Sequence, residues 1–213
     1  MGNYVFSADA LVELLHENHE TAGTRHDVGG DLIPMMVGRG EAHVYDFTHN
    51  RVPGQLDRPH YWRDVGTIDS YFAAHMDLVD DFPAFDLYNA DWPIYNLGRT
   101  LPPAKIVNDG THGPSTVHRS LLSNGAVVAG AVVTNSVLSP GVRIEGGAVV
   151  ENAVLLDDVV VGAGAHLSNV VLDKNVVVPP GGRVGVAHGT DDYTVSDGGV
   201  VVVPKGTRVA DPS

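Results

Sequence analysis

The chain has 213 residues, enough for one large or two modest domains. Its formal net charge is −13, from 26 acidic and 13 basic residues; this balance argues against a basic face for nucleic-acid phosphates and disfavours an anionic membrane surface. There is no cysteine, which excludes disulfides and thiolate metal sites and suits the reducing cytoplasm, and no apolar run approaches the ~20 residues of a membrane span.

The opening "MGNYVFSADA" lacks a basic region ahead of a greasy core, so it is no signal peptide. "NYVF" reads as a short buried strand almost from the first residue. Termini usually seek solvent, so the reading implies a fragment whose preceding half is missing. Ser7 is placed to cap a helix over "ADALVELLHENHE", with Leu11, Leu14, Leu15 and His19 on one face. Asp31 is placed to cap "LIPMMV", and "AHVYDF" alternates as a strand does. Thr67 precedes "IDSYFAAHMDLVDD", where Ile68, Tyr71, Phe72, His75 and Met76 fall at helical spacing. Residues 1–82 are thus α/β. Residues 83–105, "PAFDLYNADWPIYNLGRTLPPAK", carry prolines and aromatics, the composition of a packed, extended connection and not of a Gly/Ser linker.

From residue 106 the composition shifts to Val, Gly, Ala and Asn, and the sequence repeats. Ala126, Val132, Leu138, Ile144, Val150 and Leu156 stand six apart; a five-residue step leads to Val161, then Leu167, and another to Leu172, with Val178 and Val184 again at six-residue steps. Small or β-branched residues mostly stand two positions earlier. This is the hexapeptide pattern of a parallel β-helix over 106–185. Each six-residue step is one flat side of a triangular coil, with one aliphatic filling the interior. Ordinary sandwich strands alternate with period two and do not hold such a series. The tail, 186–213, has a polar loop and then "VVVVPKGTRV", a strand expected to pack back on the protein.

Several short stretches carry polar chemistry. "PHYWRDVGT" at 59–67 crowds two rings, a cation and a carboxylate before a glycine. Asp64 there is either a hard oxygen ligand for Mg²⁺ or a turn residue capping the helix near Thr67. Tyr61 and Trp62 either line a sugar site or pack in a core. "TRHDVGGDLIP" at 24–34 places Arg25, His26 and Asp27 before a glycine pair, where a carboxylate can accept sugar hydroxyls. The 11 histidines form no metal spacing; "HENHE" at 16–20 does not match H-E-x-x-H. His112, His118, His166 and His188 lie in or beside the repeats, where one would serve as the base of a hexapeptide acyltransferase. No G-x-x-x-x-G-K-[ST] and no strand–G-x-G-x-x-G–helix is present.

Taken in order, "MGNYVF", "HDVGGDLIP", "YWRDVGTIDSY", "DLYNADWPI" and "LPPAKIV", followed by hexapeptides, resemble the second half of bacterial ADP-glucose pyrophosphorylase (glucose-1-phosphate adenylyltransferase) over nearly the whole chain. The resemblance implies an α/β plus all-β fold: the C-terminal part of a Rossmann-like nucleotidyltransferase domain, on its sugar-phosphate side (1–82), a connecting segment (83–105), a left-handed parallel β-helix (106–185) and a C-terminal tail with a strand (186–213). It implies conversion of ATP and glucose 1-phosphate to ADP-glucose and pyrophosphate in glycogen synthesis, in the cytoplasm, by a homotetramer. By the same resemblance Tyr4 and Asp27 line the glucose 1-phosphate site, Trp62 shapes it, and Asp64 binds the catalytic Mg²⁺. Lys174 and Lys205 stand where the family grips the phosphates of a sugar-phosphate activator. Val28 replaces the family's Phe. The family's glycine-rich nucleotide loop, catalytic aspartate and phosphate-binding lysine all precede the segment matching Met1. This chain therefore holds no catalytic residue and is expected to be inactive alone. The alternatives are another sugar-1-phosphate nucleotidyltransferase, a non-catalytic regulatory subunit that oligomerises through the repeats, and a hexapeptide acyltransferase.

Overall fold

The computed structural model describes residues 2–54, 60–185 and 193–211. The chain forms two compact units, Met1–Asn50 and Arg51–Ser213.

In the first unit, α1 spans Ala8–Glu20, as its periodicity and Ser7 predict. Its buried face is centred on Leu14 and Asn18, while Leu15 is 49% exposed and His19 also faces outward. Asn18 is buried without penalty because its Oδ1 pairs with His26 Nδ1 at 2.9 Å and its carbonyl accepts the Thr24 hydroxyl at 3.2 Å. Asp31 caps no helix. Instead Asp27 caps a single π-helical turn, Val28–Leu32, which runs into α2, Ile33–Arg39. Pro34 sits in the first turn of α2, where its missing N–H costs nothing, and Gly40 at φ 74° ends it. The two expected strands, "NYVF" and "AHVYDF", form no ladder among the described residues, and Val5 and Val44 are fully exposed. Alternation supplies the side-chain pattern, but a strand exists only where a neighbour pairs its N–H and C=O groups.

The second unit is a triangular prism of stacked strands with a helix against one face. The first face comprises Lys105–Val107, Val127–Ala129, Arg143–Ile144, Val160–Val161 and Val177–Val178. The second comprises Thr116–His118, Val132–Thr134, residues 149–151 and 166–168, and Arg183–Val184. The third comprises Leu121–Leu122, Val137–Leu138, residues 153–155 and 170–172, and Val201–Val203. These pairs are all parallel; Thr194–Val195 adds an antiparallel rung beside Val201–Val203. The C-terminal strand therefore packs back on the prism as expected.

One coil takes 17 residues, Val133 to Val150 and Val150 to Leu167. The interior holds Val133, Leu138, Ile144, Val150, Leu155, Val161, Leu167, Leu172, Val178 and Val184, all at most 1% exposed. This corrects the register read from sequence. Val132 is 40% exposed, and Leu156 lies outside the prism's interior. The reason is the corner at Asn135, Asn152 and Asn169, which adopt φ of 48°, 48° and 53°. A left-handed residue turns the chain in fewer residues, so 133→138, 150→155 and 167→172 take five residues instead of six. Asparagine tolerates this backbone and also stacks, with Asn135 Nδ2 donating to Asn152 Oδ1 at 2.7 Å.

α3, Ile68–Leu78, lies outside the third face. Thr67 and Ser70 form its capping box. Its apolar stripe, Ile68, Tyr71, Phe72 and Met76, covers Val154, Val171 and Val200, which are at most 5% exposed. Those valines point away from the interior, and removing each from water contributes about 1.5–3 kcal/mol. Asp69 fixes the helix start to the C-terminal turn, accepting the Gly198 N–H at 3.1 Å and the Ser196 hydroxyl. Burial, reinforced by the nearby Asp173 carboxylate, pushes the Tyr71 hydroxyl above its ordinary range. Residues 83–104 form no helix or strand, with bends and turns over 84–92, and are not packed as their composition implies: Tyr88, Tyr95 and Leu97 are 82%, 90% and 107% exposed. The segment is anchored at points, chiefly Asn89 Nδ2 to the Pro53 carbonyl (2.7 Å) and Arg99 to Asp158 (2.5 Å).

Candidate functional site

The loop 24–31 is the most organised polar feature of the first unit. Asp31 Oδ2 accepts two backbone N–H groups, from Arg25 at 2.9 Å and Asp27 at 3.0 Å. Those bonds, the Asp27 one above all, hold its carboxyl below the usual carboxylate range. They close the loop around His26, which sits at φ 56° with its ring tied to Asn18. Asp27 Oδ1 in turn accepts the Gly30 N–H at 2.5 Å. A Cβ placed on Gly29 would lie 3.6 Å from Asp27 Oδ1 and 3.7 Å from the Tyr4 hydroxyl. Tyr4 and Asp27 therefore both border the bare backbone of Gly29. Val28 is 42% exposed and fills no gap between them.

Trp62 and Asp64 belong to the second unit. In the cluster at 60–67, Tyr61 packs its ring 5.2 Å from Phe85, and Arg63 pairs with Asp77 of α3 at 2.5 Å. Trp62 remains 50% exposed. Asp64 does not cap α3, a role Thr67 takes; its Oδ1 accepts the Gly66 N–H at 3.0 Å. Its second oxygen has no partner among the described residues. An exposed carboxylate with one engaged and one free oxygen fits a Mg²⁺ ligand, since that ion is commonly held by one or two carboxylates together with substrate phosphates. No group of three or more His, Asp or Glu among the described residues is arranged to hold a metal by itself.

Lys174 and Lys205 are brought together on one corner of the prism. The Gly206 N–H donates to the Lys174 carbonyl at 2.8 Å, and the Asn175 N–H donates to Asp157 one coil away at 2.9 Å. Each lysine immediately precedes a left-handed residue, Asn175 at φ 61° and Gly206 at φ 72°, so the two occupy equivalent places on successive rungs. Rungs are about 4.8 Å apart. Both lysines are exposed and neither forms an ion pair among the described residues. On the neighbouring rung, Asp158 is engaged by Arg99, whose guanidinium it holds above its ordinary range. Two lysines whose backbones hold equivalent places on successive rungs can offer two cations to one anion.

Of the histidines considered as bases, His112 alone among the described residues has an orienting carboxylate: its Nδ1 lies 2.5 Å from Asp109 Oδ2. The pair rests on Gly146 and Gly147, where a Cβ would collide with it. Asp109 is held below the usual carboxylate range, first by the Thr111 N–H and then by His112. His188 lies outside the described residues. Sequence reasoning missed the role of Asp31 as a backbone clamp; its only signal was a second acidic residue four positions after Asp27.

Sequence comparison follows the same division of the chain. Residues 1–81 match the family described as Nucleotidyl transferase, and residues 102–203 match the family described as GlmU-like, C-terminal hexapeptide. Fold and matched segments together define the class: a nucleotidyltransferase segment joined to a hexapeptide β-helix. Nucleotidyltransferases generally work with a divalent metal. Within that class the similarity is to glucose-1-phosphate adenylyltransferases. That of Parafrankia sp. (strain EAN1pec) is 51% identical over 216 residues, 99% of this chain and 52% of the relative. That of Corynebacterium kroppenstedtii is 54% identical over 209 residues, 96% and 50% respectively. That of Acidothermus cellulolyticus is 53% identical over 212 residues, 98% and 50%. The chain spans about half the length of these curated relatives. No helix among the described residues is long and apolar enough to cross a membrane.

Proposed function

We propose that the chain is the sugar-phosphate and regulatory part of a glucose-1-phosphate adenylyltransferase, the enzyme that makes ADP-glucose and pyrophosphate from ATP and glucose 1-phosphate for glycogen synthesis in the cytoplasm. The observation that carries the reading is that Tyr4 and Asp27 both border the bare backbone of Gly29 in a chain similar to that enzyme. Asp27 accepts sugar hydroxyls, and the Tyr4 hydroxyl donates or accepts beside it. In the second unit the exposed Trp62 ring suits the apolar face of a sugar. Asp64 supplies one carboxylate oxygen to Mg²⁺, which when bound neutralises charge on the phosphates. ATP is held by groups outside these 213 residues, which contain no glycine-rich phosphate loop, so the chain alone is expected to release no pyrophosphate.

Lys174 and Lys205 form the binding point for a sugar-phosphate activator, and the prism is the platform on which a homotetramer assembles. Calorimetry tests both ligand assignments. Glucose 1-phosphate is expected to bind the wild-type chain, with the affinity lost in Asp27→Ala. Fructose 1,6-bisphosphate is expected to bind with an affinity that falls in Lys174→Ala. Unchanged binding in either variant removes that residue from its site.

A further inference from the structure

Asp64 stands on a stretch with no secondary structure of its own. Residues 60–66 form neither helix nor strand, yet two side-chain anchors fasten them to α3. After Asp64, the Thr67 hydroxyl caps the helix by accepting the Ser70 N–H at 3.1 Å. Before it, Arg63 pairs with Asp77 Oδ2 at 2.5 Å, in the last turn of the same helix. α3 is itself seated on the third face of the prism, with Asp69 accepting the Gly198 N–H at 3.1 Å. The carboxylate at 64 is therefore flanked on both sides by fixed points on one mounted element. Arg63 and Asp64 are consecutive, but they form no ion pair with each other among the described residues. Asp77 engages the guanidinium, and the Gly66 N–H donates to Asp64 Oδ1.

We propose that Arg63 is a positioning residue for the metal ligand Asp64: through Asp77 it fixes on α3 the segment from which that carboxylate projects. This role rests on Asp64 being a Mg²⁺ ligand, as read above, and extends that reading to what holds the ligand in place. A metal ligand on a free segment must be ordered when the metal arrives, and that ordering is taken out of the affinity. Partners that fix a ligand commonly account for tenfold to a hundredfold in metal affinity. Arg63 does this against its own charge. A cation beside Asp64 repels a divalent metal, so charge alone makes Arg63→Ala bind metal more tightly, whereas positioning makes it bind more weakly. The two effects have opposite signs, which separates them. The side chains of the pair are 37% and 34% exposed, so its loss costs little stability and the variants fold.

The test titrates MnCl₂ into the intact chain and its variants and reads the affinity from the paramagnetic broadening of the Gly66 amide. Mn²⁺ takes the carboxylate ligands that Mg²⁺ takes. Broadening is expected in wild type and absent in Asp64→Asn. Arg63→Ala and Asp77→Ala should each weaken Mn²⁺ at Gly66 about tenfold, and the double variant about as much as Arg63→Ala alone, because one pair is broken only once. Arg63→Lys, which still reaches Asp77, should recover part of the affinity. Amide protection across 68–78 should persist in every variant. Affinity unchanged or raised in Arg63→Ala, while Asp64→Asn abolishes binding, overturns the role of Arg63 and spares the metal reading. Weakening that multiplies in the double variant overturns it too, as does lost protection of α3 in Arg63→Ala, which is a general effect on the helix. No broadening at Gly66 in wild type, or broadening that survives Asp64→Asn, overturns the metal reading and the proposal together.

Discussion

Asn152 sits at the corner where two faces of the prism meet, at φ 48°, with Oδ1 accepting from Asn135 Nδ2 at 2.7 Å. Replacing it by alanine keeps a β-carbon in the left-handed region but removes the polar side chain that lets asparagine tolerate it, at up to about 1–2 kcal/mol. The same change removes the acceptor of a partly buried amide, at about 1 kcal/mol. Asn152→Ala should therefore cost about 2–3 kcal/mol, which for a chain of this size lowers the melting temperature by about 4–12 °C. Glycine adopts the corner without steric cost, so Asn152→Gly loses the hydrogen bond and some chain entropy, about 1–2 kcal/mol. Urea unfolding of both variants, followed by far-UV circular dichroism, separates the two contributions. An alanine variant as stable as the glycine variant would refute the corner argument.

The register of the prism makes a sharper contrast between neighbours. Val133→Asp should prevent folding or cost several kcal/mol because it buries a charge, whereas Val132→Asp, on the outer surface, should stay within about 1 kcal/mol of wild type; equal effects would restore the register in which Val132 faces inward. Val171→Asp should detach α3, detected as loss of amide protection across 68–78 while the strands 143–161 keep theirs; retained protection in α3 would contradict its seating on the third face. Asp31 and Asp109 are both held below the ordinary carboxylate range, so each stabilises the fold fully above pH about 4 and progressively less as pH falls through its lowered value. Asp31→Asn and Asp109→Asn should accordingly flatten the acid limb of the stability profile measured by thermal unfolding from pH 7 to pH 2, and an acid limb as steep as that of wild type would argue against these bonds.

The prism was legible in the sequence because an interior position recurs at nearly constant spacing, and because small residues recur beside it. The register error has a local cause. Val132 and Val133 are both valine and Leu155 and Leu156 are both leucine, so side-chain type cannot say which member of each pair faces inward. The backbone of Asn135 and Asn152 decides it. The helical stripe of α3 was equally legible, but not what it covers, since Val154 and Val171 look like interior residues until the helix is seen outside them. The strands "NYVF" and "AHVYDF" failed for a different reason: pairing is not a property of one segment. In the site, Tyr4, Asp27, Trp62 and Asp64 were assigned through resemblance, and no spacing links Tyr4 to Asp27. Both border the glycine pair that leaves the loop floor bare. The Lys174–Lys205 pair was also invisible as a pair, because it depends on where the C-terminal strand rejoins the stack.

The central claim is that the 24–31 loop binds a sugar phosphate, and the amide spectrum of the chain titrated with glucose 1-phosphate tests it most directly. Saturable shifts are expected at the amides of Asp27, Gly29 and Gly30, absent in Asp27→Ala. A spectrum unmoved at those three amides, or moved equally in the variant, would contradict it.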